Sequence, residues 1–155
     1  MRLALLRHGI AADGPIDFER RLTAEGAAEV DRVARTLAAL GWSPGSIFHS
    51  PLYRAVETAR LVHRCFPRVP IREARALAEG SPEEMLTTII GADNPLLVGH
   101  HPTLGELAAT ILGATGILPL EKAGVALFDI DTIPLRRPGR LVYFAPPPRP
   151  GALSG

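Results

Sequence analysis

Histidine and arginine hold the positions where this 155-residue chain has chemistry to offer. Arg7-His8-Gly9 follows the apolar run Leu3 to Leu6, and Gly99-His100-His101-Pro102 follows Pro95-Leu96-Leu97-Val98. An imidazole with an ordinary pKa near 6.5 is mostly neutral at pH 7, and so an available nucleophile. Arginine is a permanently charged fork that suits phosphate oxygens. Ser50-Pro51-Leu52-Tyr53-Arg54 supplies a further arginine early in a helix, where a cation opposes the dipole. A bound anion would relieve that conflict, because the helix N-terminus and the guanidinium would both face it. Taken singly, each feature also has a plain reading, as a buried hydrogen-bonded histidine or a solvated arginine. Taken together they suit phosphoryl transfer, which asks a protein mainly to position the reactants and neutralise the non-bridging oxygens.

Other chemistries lack their motifs. There is no Gly-rich phosphate loop ending in Lys-Ser or Lys-Thr, no dinucleotide fingerprint and no Gly-x-Ser-x-Gly elbow. Seventeen basic and 16 acidic residues leave a net charge of +1, so no global attraction to nucleic acid or anionic lipid is expected. The single cysteine, Cys65, excludes an internal disulfide and a cysteine metal cluster, and reads as an inert thiol. Arg7-His8 interrupts the N-terminal apolar run before a signal sequence can form, and no apolar run nears the roughly 18 residues of a membrane span. The expectation is a cytoplasmic protein with no membrane or nucleic-acid partner and no cofactor.

The elements that must carry these residues alternate. Leu3–Leu6, Ser46–His49, Pro70–Arg72, Pro95–Val98, Gly124–Ile130 and Arg140–Phe144 read as strands. Between Thr23 and Leu40, Ala27, Val30, Val33, Ala34, Leu37 and Leu40 recur at helical spacing, and Gly41 reads as the stop. Ser50 reads as an N-cap with Pro51 at the first helical position, for a helix running toward Cys65 before Pro67. Ser81-Pro82-Glu83-Glu84 and Thr103-Leu104-Gly105-Glu106 have capping-box form, opening helices toward Ile90 and Gly113. Pro134 and Pro138 act as breakers. The alternation predicts an α/β fold, a three-layer α/β/α sandwich on a mostly parallel central sheet, as one domain over residues 1–145. Residues 146–155, rich in proline, are expected to be a disordered tail. Such sheets bind ligands beyond the carboxyl ends of their strands, where Arg7-His8 and Gly99-His100 fall.

In order and spacing these motifs resemble the histidine phosphatase superfamily, also called phosphoglycerate mutase-like. The matching marks are Arg7-His8-Gly9, Arg20-Arg21-Leu22-Thr23, Ser50-Pro51 with Arg54 and Thr58, and Val98-Gly99-His100. The likeness spans roughly residues 2 to 113, and the lack of a large insertion resembles the compact SixA-type phosphohistidine phosphatases. The resemblance implies that His8 attacks phosphorus, that Arg7, Arg54 and His100 (if protonated beside the phosphate dianion) cradle the oxygens, and that water then hydrolyses the phosphohistidine. It implies that Arg20 reaches phosphate or substrate, while Arg21 fills a variable slot. The implied partner is a phosphorylated protein, with phosphohistidine as substrate, or a small phosphorylated metabolite.

Two points depart from the pattern. Larger members carry a carboxylic acid after the third strand; Glu79 is the candidate here, with Glu83 and Asp13 as rivals, or none. His101 stands where relatives often carry another polar residue, and either touches substrate or caps the helix opening near Thr103. His49 and His63 read as structural or surface residues. Two rival readings remain. One is a zinc hydrolase using His8, His100, His101 and Asp13, disfavoured by the adjacent arginines; the other is a phospho-ligand-binding domain without catalysis.

Overall fold

The computed structural model describes residues 1–151. Its six strands are β1 (Arg2–Arg7), β2 (Ser46–His49), β3 (Ile71–Glu73), β4 (Pro95–Gly99), β5 (Val125–Asp129) and β6 (Arg140–Ala145). They form one sheet in the order β3-β2-β4-β1-β5-β6. Neighbours from β3 to β1 pair in parallel, whereas β5 runs antiparallel to both β1 and β6. Only β5 therefore opposes the common direction, and the sheet is mostly parallel.

The helices are α1 (Ala24–Ala39), α2 (Tyr53–Cys65), α3 (Ala76–Glu79), α4 (Pro82–Thr88) and α5 (Thr103–Ile111). Strand alternation sends side chains to two cores. Ala4, Leu6, Ile47, Leu96, Val98, Val125 and Leu127 meet Val30, Val33, Ala34 and Leu37 of α1 and Ala55, Ala59 and Val62 of α2. Leu3, Leu5, Phe48, Leu97, Ala126 and Phe128 meet Leu77, Met85, Ile89, Leu104, Leu107 and Ile111 of α3 to α5. Helices on both faces make three layers and explain why β1 and β4 are almost continuously apolar: each is buried on both sides. Burying any one of these leucines contributes about 1.5–3 kcal/mol.

Local signals set several boundaries as expected. Thr23 caps α1, its hydroxyl accepting from Gly26 N at 2.9 Å. Gly41, at φ 78°, ends α1, and Gly41 N and Trp42 N donate back to Ala38 O and Leu37 O. Leu40, counted in the apolar stripe, lies beyond the last turn and is exposed. Ser81 caps α4 through Glu84 N, but the helix ends at Thr88 rather than Ile90.

Two capping expectations fail. The N-cap of α2 is Leu52, not Ser50, and no side chain caps it. The N-cap of α5 is Pro102, so Thr103 and Glu106 form no capping box; the Thr103 hydroxyl donates instead to His100 O at 3.1 Å. At Ser50 the local rule yields to a distant partner, His100, whereas at Thr103 it yields to a carbonyl three residues back. Of the proline-rich stretch expected to be disordered, Pro148 accepts a hydrogen bond from Arg32 Nε at 2.9 Å, and residues 152–155 lie outside those described. No described helix is long and apolar enough to cross a membrane.

Candidate active site

The parallel register puts the two histidine motifs side by side. Arg7 of β1 pairs with Gly99 of β4, and His8 N donates to Gly99 O at 3.0 Å just beyond the strand ends. His49 of β2 pairs with Val98, so Ser50 leaves the sheet on the same edge and donates its N–H to Val98 O. Segments distant in sequence thus converge at the carboxyl ends of β1, β2 and β4. The rings of His8 and His100 lie 5.1 Å apart, centroid to centroid.

His8 is 6% exposed. Its Nδ1 lies 2.7 Å from the Gly9 carbonyl, which can only accept. The proton therefore sits on Nδ1 and Nε2 keeps its lone pair. Burial pushes the imidazole down to about 3; the charges of His100, Arg54 and Arg7 act the same way, and the Gly9 bond opposes them. His8 is therefore neutral at pH 7, with the lone pair of Nε2 free.

Arg54 stands in the first turn of α2 with its side chain 10% exposed. Thr58, fully buried one turn on, donates to Arg54 O at 2.7 Å and accepts from Gly9 N at 3.1 Å. That one hydroxyl ties the helix to the backbone beside His8. Close packing supports it: a Cβ on Gly26 would lie 2.2 Å from Ile10 O, so the first turn of α1 rests directly on the segment after His8. Arg7 donates to Leu120 O at 3.0 Å and keeps a buried Nε without a partner among the described residues.

His100 is held between a hydroxyl and a buried, unpartnered edge. Its Nε2 lies 2.7 Å from Ser50 Oγ, and its Nδ1 is buried with no partner among the described residues. Burial, followed by Arg54, pushes it down to about 4, with Asp17 opposing and Arg7 adding to the shift. In the unliganded protein it is neutral at pH 7, so it acquires a proton only if a phosphate dianion arrives beside it. Ser50, fully buried, accepts from Leu52 N at 3.2 Å and bonds His100, and so belongs to the site rather than to a helix cap.

Arg20 is joined to this cluster indirectly. It donates from Nε to Ala12 O at 2.9 Å and from a terminal nitrogen to Asp17 Oδ1 at 3.1 Å, while Asp17 Oδ2 lies 3.3 Å from Arg54. Asp17 had no sequence motif to mark it. Glu79 is 71% exposed and pairs with Arg75 at 3.7 Å; no hydrogen bond or ion pair joins it to His8 or His100. Glu83, Asp13 and His101 are exposed. His49 and His63 bond to the carbonyls of Ser50 and Val69, as structural residues do. Among the described residues no three His, Cys, Asp or Glu side chains are grouped to hold a metal ion. Arg21 stacks over Tyr53 at 5.0 Å.

This geometry has relatives. The chain is 38% identical over 136 residues to an uncharacterised protein of Picosynechococcus sp. (strain ATCC 27264 / PCC 7002 / PR-6), covering 81% of this chain and 82% of that one. It is 34% identical over 79 residues to the mitochondrial serine/threonine-protein phosphatase PGAM5 of Xenopus tropicalis, covering 50% of this chain but only 28% of that protein. Its fold matches the protein histidine phosphatase SixA complexed with tungstate, with a TM-score of 0.84 at 24% identity over 95% of this chain and 97% of the other. The sequence model of the histidine phosphatase superfamily (branch 1) matches residues 3–115, and the chain belongs to this superfamily of phosphatases.

Proposed function

We propose that this protein is a metal-independent phosphohydrolase that passes the phosphoryl group through His8, and that its substrate is phosphohistidine in a protein. The observation that carries the reading is the state of His8: buried, neutral at pH 7, and held by the Gly9 carbonyl so that Nε2 keeps its lone pair. Nε2 attacks phosphorus in line, the leaving group departs on the open side, and water then takes the phosphoryl group from His8. Arg7, Arg54 and His100 surround the non-bridging oxygens, with His100 protonated by the approach of the dianion. Charge that a metal would otherwise neutralise is met by the guanidiniums.

The leaving group favours phosphohistidine. An alkoxide leaving a phosphomonoester needs a proton donor, worth about 10²–10⁴-fold. A protonated imidazole leaves neutral without one. Glu79 in an exposed ion pair, away from the histidines, suits a substrate of that kind. Hydrolysis of phosphomonoesters is the second reading, supported by the likeness over half of this chain to a serine/threonine-protein phosphatase.

The test is a substrate screen across phosphohistidine, phosphoserine, sugar phosphates and nucleotides, with and without EDTA, on wild type and His8→Ala. Wild type should prefer phosphohistidine, keep its rate in EDTA and carry one acid-labile phosphate when trapped. His8→Ala should fold, still bind orthophosphate and turn over nothing. Substantial residual turnover in that variant removes the nucleophile assignment, and a rate lost to EDTA and restored by zinc or magnesium makes the protein a metal hydrolase.

A further inference from the structure

Asp17 has no part in the reaction just described, yet it touches the arginine that would grip the phosphate. It lies in the segment between β1 and α1, whose base is pinned by Ala12 N to Arg21 O at 2.8 Å and Thr23 N to Ile10 O at 2.9 Å. Within that segment a 3-10 turn, Asp17–Glu19, holds the Asp17 carboxylate between two guanidiniums, 3.1 Å from Arg20 and 3.3 Å from Arg54.

Orientation of Arg54 does not need that carboxylate. A second nitrogen of Arg54 donates to the backbone carbonyl of Asp17 at 2.9 Å, a contact any residue at 17 would preserve. What the side chain adds is therefore a charge. Hydrogen bonding from Arg20 holds the Asp17 carboxyl below the usual carboxylate range, so it is ionised at pH 7.

The position of this charge matters. His8 is 6% exposed and forms the floor of the site, so in-line attack sends the leaving group outward. Asp17, 67% exposed, stands on the rim on the outward side, close enough to oppose the depression of His100. Asp17 thus sets one anion beside the arginine that would grip the phosphate.

We propose that Asp17 is a specificity-determining residue whose charge raises the affinity for phosphates whose organic part is positively charged, such as the protonated ring of phosphohistidine, and lowers it for those carrying a second anion, relative to a neutral residue at that position. This rests on the reading that phosphate lies among Arg7, His8, Arg54 and His100. During transfer the bond from His8 Nε2 to phosphorus forms as the substrate N–P bond breaks, and the electron pair goes to the departing nitrogen. A ring already protonated on its other nitrogen leaves neutral, and Asp17 favours that protonated form. Replacing the carboxylate leaves Arg20 and Arg54 without an anion between them, which shifts selection toward anionic phosphates.

The experiment measures inhibition constants of two phosphomonoesters, phosphoethanolamine (cationic) and 3-phosphoglycerate (anionic), on wild type, Asp17→Asn and Asp17→Glu. Exposed charge pairs change binding by about two- to fivefold each. Asp17→Asn should weaken phosphoethanolamine and tighten 3-phosphoglycerate by that factor, and Asp17→Glu should keep the wild-type order. A shift of both inhibitors in the same direction, or of neither, overturns the proposal. Turnover of a phosphohistidine peptide is followed in parallel and should fall about two- to fivefold in Asp17→Asn. Wild type inactive on that peptide, with the two inhibitors still shifted in opposite directions by Asp17→Asn, would overturn the phosphohistidine reading while leaving charge selection by Asp17 standing.

Discussion

Lowering the pH from 7.5 to 5.0 should cost this protein about 4 kcal/mol of folding stability through His8 and His100 alone. An unfolded imidazole titrates at 6.5, whereas burial holds His8 at about 3 and His100 at about 4. Between pH 6.5 and pH 4 the unfolded chain thus binds a proton at each position that the folded chain refuses. Stability from a depressed histidine is fully present above 6.5 and falls as pH drops through that value. At pH 5 the unfolded state has gained about 1.5 pH units of protonation per ring, and at 1.36 kcal/mol per unit each ring costs about 2 kcal/mol. Both folded values lie below pH 5, so the loss over this interval is set by the unfolded imidazole. Asp17 and Asp129 have lowered values and act in the same direction, while Glu29 is raised and opposes them. The difference between variants isolates the histidine contribution. Urea unfolding should be measured at half-unit steps from pH 7.5 to 5.0 for wild type, His8→Gln and the double variant with His100→Gln. The pH-dependent loss should shrink by about 2 kcal/mol with each substitution. Equal losses in wild type and His8→Gln would refute a neutral, desolvated His8, and with it the argument for a ready nucleophile.

Two substitutions probe the surroundings of the cluster. Ser50→Ala leaves His100 Nε2 and Leu52 N without their shared partner, and should cost about 1–3 kcal/mol in denaturant midpoint analysis. Because His100 also loses its anchor, kcat/KM should drop by about 10- to 100-fold; a drop below twofold would mean that His100 is positioned by something else. Glu79→Gln should change stability by less than about 1 kcal/mol, since its ion pair with Arg75 is exposed. Its turnover of both phosphohistidine and phosphomonoesters should stay close to wild type, and a large loss confined to phosphomonoesters would make Glu79 the missing proton donor.

Much of the site was legible in the sequence because the signals were short-range. An apolar run long enough for one strand and an immediate Arg-His or Gly-His mark a strand end, and parallel α/β sheets gather their strand ends on one edge. His8, Arg7, Arg54 and His100 came together for that reason, and Thr58 with them. Thr23, Gly41 and Ser81 behaved as helix boundaries because their partners lie within a turn. Where the partner came from elsewhere in the fold, local chemistry misled. Ser50 has the residue type and spacing of an N-cap, but His100, fifty positions away, takes its hydroxyl. Asp17 is one acidic residue among 16 until the loop closes against α2 and sets it between Arg20 and Arg54. Residue type and spacing therefore determined which groups can do the chemistry and which strands carry them. The charge on each group, and the partner it holds, were decided only by folding, because burial and long-range contacts depend on residues that are neighbours in space but not in sequence.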